Sequence, residues 1–172
     1  MPRDDEEFTV IFNEVYPNLC RFIECLLGGE GAAQDIAQES FLRLYRAKDV
    51  PRDEARFWLY RVARNFALNE LNKRQTRTRL LDRVADVFRK RGPTPEEELE
   101  LAERRQILFE MLKSLPEHHR AALLLREQEE MSYNEIARVL NVSESKVKVD
   151  IFRARLELRA RWKSLEAATQ KL

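Results

Sequence analysis

Apolar side chains recur every three or four residues along almost the whole chain, and that spacing commits it to helices. Between Phe8 and Leu27 the positions Phe8, Ile11, Phe12, Val15, Leu19, Phe22, Ile23, Leu26 and Leu27 form one such stripe. No run alternates Val, Ile or Thr with polar residues as a half-buried strand would. Only 4 Gly and 6 Pro interrupt the 172 residues, and the strong helix formers Leu, Ala, Glu, Arg, Lys and Gln dominate. The expected fold class is all-α. Charged residues make up 35%, against roughly 25% in an average soluble domain. At this length, two small helical cores are expected rather than one large one.

Breakers set the boundaries. Pro17 predicts a break or a fresh start inside the first stripe. "GGEG" at 28–31 ends that helix; with no strand before it, a phosphate cradle is not indicated. A second helix is expected through about Ala47 and a third from about Glu54 into the mid-70s. In "RKRGPTPEEELE" (89–100), Gly92, Pro93 and Pro95 break continuity. This divides the chain into a domain over 1–80, a linker over 81–95 and a second domain over 96–172. Thr94, Pro95 and Glu97 form a helix start, and the glutamates there also suit the positive helix N-terminus. Helices at roughly 95–113 and 116–129 precede a final pair.

No apolar run approaches the roughly 18 residues a membrane helix needs, and "MPRDDEEF" is acidic rather than signal-like. The expectation is a soluble, cytoplasmic protein. Cys20 and Cys25 fit neither a metal knuckle nor a redox pair and read as plain buried thiols. His118 and His119 are adjacent, with no Cys or carboxylate at ligand spacing, and read as surface residues. No nucleophile–base pair, metal constellation or nucleotide motif stands out, so no catalytic residue, cofactor or metal is expected. The net charge of +1 hides four blocks: −7 over residues 1–40, +9 over 41–93, −5 over 94–130 and +4 over 131–172. Two basic blocks between acidic ones suggest two polyanion-facing surfaces; solvated helix faces are the plainer alternative.

The tail "SYNEIARVLNVSESKVKVDIFRARLELR" (132–159) reads as two short helices. Ser132 and Glu135 form a capping box, Asn141 suits a left-handed turn, and Ser143 caps the second helix. In that helix Val147, Ile151, Ala154 and Leu158 share one face. Ser145, Lys146, Val149 and Arg153 lie opposite, flanked by Lys148 and Arg155. This is either a helix-turn-helix that reads the major groove, where Ser and Lys bond base edges or phosphates and Val149 meets a thymine methyl, or an ordinary helical hairpin. The stretch from "LPEHHRAALLLRE" onward resembles region 4 of the extracytoplasmic-function (ECF) sigma factors of bacterial RNA polymerase, where similar Leu-Pro, Ser-Tyr-x-Glu-Ile-Ala and Ser-x-x-x-Val-Lys elements recur. Asn141 replaces the family's usual glycine, and Val149-Asp150 stand where the family often has Ser-Arg. The resemblance implies that Ser143, Ser145, Lys146, Lys148, Val149 and Arg153 contact −35 DNA.

The N-terminal half is similar to the same family. In "AAQDIAQESFLRLYRA", Ile36, Ala37, Phe41, Leu44 and Tyr45 lie on or near one face and Asp35, Gln38 and Glu39 on another. The pattern resembles sigma region 2.2, which implies that Asp35, Gln38 and Glu39 dock on the core polymerase. In "RFWLYRVARNFALNELNKRQTRTR", Leu59, Val62, Ala63 and Phe66 form a core stripe. Arg61, Asn65, Asn69 and Lys73 recur at four-residue steps on one polar face, with Arg64 beside it. Amides offer both donor and acceptor to an exposed base edge, while Arg and Lys neutralise phosphate; a purely structural face is the alternative. The stretch is similar to sigma regions 2.3 and 2.4, which implies that Arg61, Arg64, Asn65, Asn69, Lys73 and Arg74 hold −10 DNA, with Asn65 and its neighbours around a flipped base. Asn69-Glu70 stand where the family has Asp-Tyr. The resemblance spans roughly 8–80 and 112–160, as in the short sigma class without regions 1 and 3. It implies RNA polymerase core (beta and beta-prime subunits), promoter DNA and an anti-sigma factor as partners. The rival readings are a stand-alone helix-turn-helix regulator and an all-helical interaction protein.

Overall fold

The computed structural model describes residues 5–29, 31–81 and 96–169, and among them finds seven helices and no strand. These are α1 (Asp5–Leu27), α2 (Ala33–Arg46), α3 (Arg52–Leu81), α4 (Glu96–Lys113), α5 (Glu117–Glu127), α6 (Tyr133–Leu140) and α7 (Glu144–Thr169). The helix start expected at Thr94 and Pro95 lies outside the described residues.

Contrary to the expected break, α1 runs on through Pro17. Pro17 and Asn13, whose carbonyl loses its amide partner, are both exposed, so solvent can serve that carbonyl. Val15, Leu19 and Phe22 are buried on either side of the proline and hold the two segments in line. The helix ends as the glycines predict. Gly28 and Gly29 have φ of 76° and 86°, and the Gly29 N–H donates to the Glu24 carbonyl at 2.9 Å. Gly29 is required twice over, because a Cβ there would lie 2.3 Å from the Phe109 ring.

The first three helices pack on one another through Leu19, Phe22 and Leu26 of α1, Ala37, Phe41 and Leu44 of α2, and Leu59, Ala63 and Ala67 of α3. Alanines on α2 and α3 let the helices approach closely. An aromatic group seals one end: Phe12 stacks on Tyr16 at 4.5 Å and meets Phe41 edge-on at 5.0 Å. In the C-terminal half α5 is the central helix, with Ala121 through Leu125 all buried. Ile136 and Leu140 of α6, and Val147, Ile151 and Ala154 of α7, close over it. Leu158 is half-buried at the rim of that stripe.

The two halves touch directly: α5 and α4 lie against α1, and α6 against α3. The seam is rich in polar contacts. Buried Arg120 donates to the carbonyls of Leu26 at the end of α1, of Lys113 at 3.2 Å and of Leu115 at 3.0 Å, satisfying acceptors that two helix ends leave open. Tyr60, also buried, donates to the Glu129 carboxylate, and Arg56 donates to the Glu129 carbonyl at 2.9 Å. Arg105 reaches Glu24 at 2.7 Å, and Arg138 pairs with Glu54 while lying over the Phe57 ring.

Candidate nucleic-acid interface

Three surfaces carry the residues singled out in the sequence. On α2, Ile36, Ala37, Phe41 and Leu44 point inward, leaving Asp35 and Gln38 exposed and Glu39 partly exposed. Glu39 accepts from Arg43 Nε at 3.3 Å, and the Arg43 guanidinium lies 4.5 Å from the centre of the Phe66 ring on α3. Arg43 therefore fixes the α2 surface relative to α3.

On α3, Arg61, Asn65, Asn69 and Lys73 are all exposed, one turn apart, as the four-residue steps require. Leu59 and Ala63 are buried and Val62 and Phe66 half-buried beneath them. Arg74 is drawn back by Glu70 at 3.0 Å. Two cations of this surface are held by the other half of the chain. Arg64 makes a two-pronged contact with Glu117, the first residue of α5, at 2.8 and 2.7 Å, and Arg61 Nη2 donates to the Arg138 carbonyl at 2.8 Å. With Arg64 and Glu117 side chains only 15% and 18% exposed, that pair is shielded from solvent.

In the tail the turn forms as its residues dictate. Ser132 Oγ accepts from the Glu135 N–H at 3.2 Å while the Glu135 carboxylate accepts from the Ser132 N–H at 2.7 Å. Asn141 is left-handed at φ 55°, and Ser143 Oγ accepts from the Lys146 N–H at 3.2 Å. Ser143, Ser145, Lys146, Lys148, Val149 and Arg153 are all exposed. Lys148 lies over the Tyr133 ring at 5.5 Å, and Arg155 pairs with Glu127. Asp150 does not join this surface. It is buried, and both its oxygens accept from Lys146 Nζ at 3.0 Å, so the acidic residue is neutralised away from any phosphate.

The geometry meets an independent line from known proteins. Residues 11–77 match the family profile described as sigma-70 region 2, and residues 105–158 match sigma-70, region 4. The ECF RNA polymerase sigma-E factor of Salmonella typhimurium is 41% identical over 135 residues, 73% of this chain and 71% of that protein. The chain belongs to the ECF sigma factor family. It is a transcription initiation factor that directs RNA polymerase to promoters, and the stand-alone regulator is not favoured. This sigma factor is also 29% identical to the ECF sigma factor SigM of Bacillus subtilis, over 91% of this chain and 93% of that one. It shares its fold with the sigma factor RpoE of Bartonella quintana, solved with the anti-sigma factor NepR (TM-score 0.70, 21% identity, covering 92% of this chain and 98% of that one). It also shares it with CnrH, solved with the cytosolic domain of CnrY (TM-score 0.68, 24% identity, covering 94% and 90%).

One expectation for this sigma factor is corrected. His118 is exposed, but His119 is buried at 5%, not on the surface. Its Nε2 lies 3.5 Å from Asp150 and its Nδ1 3.5 Å from Glu157, because packing of α5 on α7 brings distant carboxylates to it. Burial, then His119, pushes the His118 imidazole below its usual value. Cys25 is buried and Cys20 half-buried, and burial raises both thiols, which suits unreactive packing. No helix among the described residues is long and apolar enough to cross a membrane. Sequence reasoning missed Tyr60, Arg120 and Glu129. Of these, only Arg120, a charge inside the apolar run "RAALLL", carried a local signal.

Proposed function

We propose that this sigma factor divides promoter recognition among its three surfaces. Asp35, Gln38 and Glu39 on α2 dock on a basic surface of the core polymerase, formed by its beta and beta-prime subunits. Arg61, Arg64, Asn65, Asn69, Lys73 and Arg74 on α3 hold separated −10 DNA. Ser143, Ser145, Lys146, Lys148, Val149 and Arg153 on α7 enter the −35 major groove. The observation that carries this reading is the line of exposed amides on α3, set between two cations. A stable helical bundle gains little from asparagines there, whereas unpaired base edges need a donor and an acceptor together. Melting then requires no nucleotide fuel and no catalysis by the chain. Unstacking costs a few kcal/mol per base, and contacts to an extruded base offset it.

The closed seam is not the promoter-bound arrangement. Elements named −35 and −10 lie about 25 base pairs apart, or about 85 Å at 3.4 Å per pair. A packed body of this length has a radius of gyration near ~16 Å. The halves must separate to reach both elements, and separation releases Arg61 and Arg64. A polar seam between domains suits such opening. As RpoE and CnrH were each solved with a partner, an anti-sigma factor for this chain is part of the reading, in the bacterial cytoplasm where polymerase works.

Run-off transcription with bacterial core polymerase over a genomic promoter library tests it: new start sites should appear only with this protein present. Gln38→Ala with Glu39→Ala should weaken core binding. No new initiation, or core binding untouched by that pair of substitutions, sinks the assignment.

A further inference from the structure

We propose that His118, His119 and Asp150 form a binding site for a divalent transition-metal ion of the zinc type, at the base of the α7 recognition surface. One ligand atom from each of these residues lies within 4.8 Å of the other two. A zinc ion with ligands at about 2.0–2.2 Å draws such atoms together by modest side-chain rotation. Two imidazoles and one carboxylate make a nitrogen-rich donor set suited to zinc rather than to calcium or magnesium. Three protein ligands leave the fourth position to water.

Two further features mark the cluster as more than packing. A metal-ligating histidine characteristically donates its second ring nitrogen to a carboxylate, which fixes the ring. Glu157 stands 3.5 Å from His119 Nδ1, and that buried nitrogen makes no hydrogen bond. Asp150, moreover, already holds a cation: Lys146 Nζ lies 3.0 Å from both its oxygens. A buried carboxylate gripping an ammonium that is itself 47% exposed is a place where a divalent ion can compete.

That competition has a consequence for DNA, which rests on the −35 reading above. A metal ion on Asp150 releases the ammonium of Lys146, already at the α7 surface, from its carboxylate partner and so frees that cation for phosphate. Metal and duplex then strengthen each other's binding by the same factor.

The test uses the full chain, stripped with chelator and titrated with Zn²⁺ by calorimetry and with Co²⁺ by visible absorption. One saturable ion per chain and a tetrahedral Co²⁺ spectrum are expected, with affinity weakened at least about 10-fold by His118→Ala and by Asp150→Asn. His118 is exposed, so its substitution spares the fold even if Asp150→Asn does not. Absence of saturable binding, or binding that His118→Ala leaves within about twofold, overturns the site. With Zn²⁺ bound, the salt dependence of −35 duplex binding should steepen by about one counterion. An unchanged slope overturns the coupling to Lys146. A chain that binds zinc but no duplex under any condition fails the −35 reading instead and leaves the metal site standing.

Discussion

The surfaces of α3 and α7 that we propose to face DNA are built alike and presented differently. Each sets cations and small polar side chains along one side of a helix whose other side is core. On α7 every assigned residue is exposed, and its ties are near at hand: Lys146 to Asp150 within the helix and Lys148 over the Tyr133 ring of α6. On α3, Arg61 and Arg64 are bound to the other half of the molecule, and only Asn65, Asn69 and Lys73 stand clear. The same residue chemistry thus yields one surface open to solvent and one whose arginines are engaged across the seam; on the proposed function, the second is held back until the halves part. A cation on a helix face is as well served by a carboxylate as by a phosphate, and packing chooses between them.

Three predictions can break or sharpen this contrast. The largest effect is expected at Asn65. Replacing it with Ala should reduce promoter opening about 10- to 100-fold, the loss of one good base-edge pair, while core-polymerase affinity and −35 duplex binding stay put. Permanganate reactivity of the −10 strand reads the first and anisotropy the other two; equal loss in all three would mean the α3 surface is structural. Next, Glu117→Ala should free Arg64. Urea unfolding should show a loss of about 1–3 kcal/mol, typical when a shielded ion pair is broken, yet affinity for a single-stranded −10 oligonucleotide should rise. If that affinity falls, the seam shapes the surface rather than covering it.

The smallest effect concerns pH. Burial, then the hydrogen bond to Glu129, pushes the Tyr60 hydroxyl far above its ordinary value of 10.0. A raised folded-state value means the contribution is complete below the unfolded phenol pKa and is lost as pH climbs past it. Wild-type stability should therefore decline above about pH 10 more steeply than that of Tyr60→Phe, as followed by urea midpoints from pH 8 upward. Parallel curves would show that the Tyr60–Glu129 contact does not tighten the seam.

Much of the molecule was legible from residues alone, and where reading failed the reason is physical. The capping box at Ser132 and Glu135, the left-handed Asn141 and the glycine stop after Leu27 depend on neighbours a few positions away, and all three formed as expected. Pro17 misled because a proline penalty of about 3 kcal/mol is outweighed when apolar residues on both sides are already committed to one core. Tyr60 sits among Phe57, Trp58 and Leu59, and nothing local announces that Glu129 will receive its hydroxyl.

The sequence by itself determined the all-α fold, the caps at Ser132 and Asn141, the glycine stop after Leu27 and the family, since each is written in short local spacings and motifs. Only the tertiary structure decided that Glu117 would take Arg64, that Glu129 would enter the first half of the molecule, and that His119 would be enclosed between two carboxylates. Those pairings join residues far apart in the chain. A helix face specifies what it can bind, but which partner arrives is settled by how the helices pack.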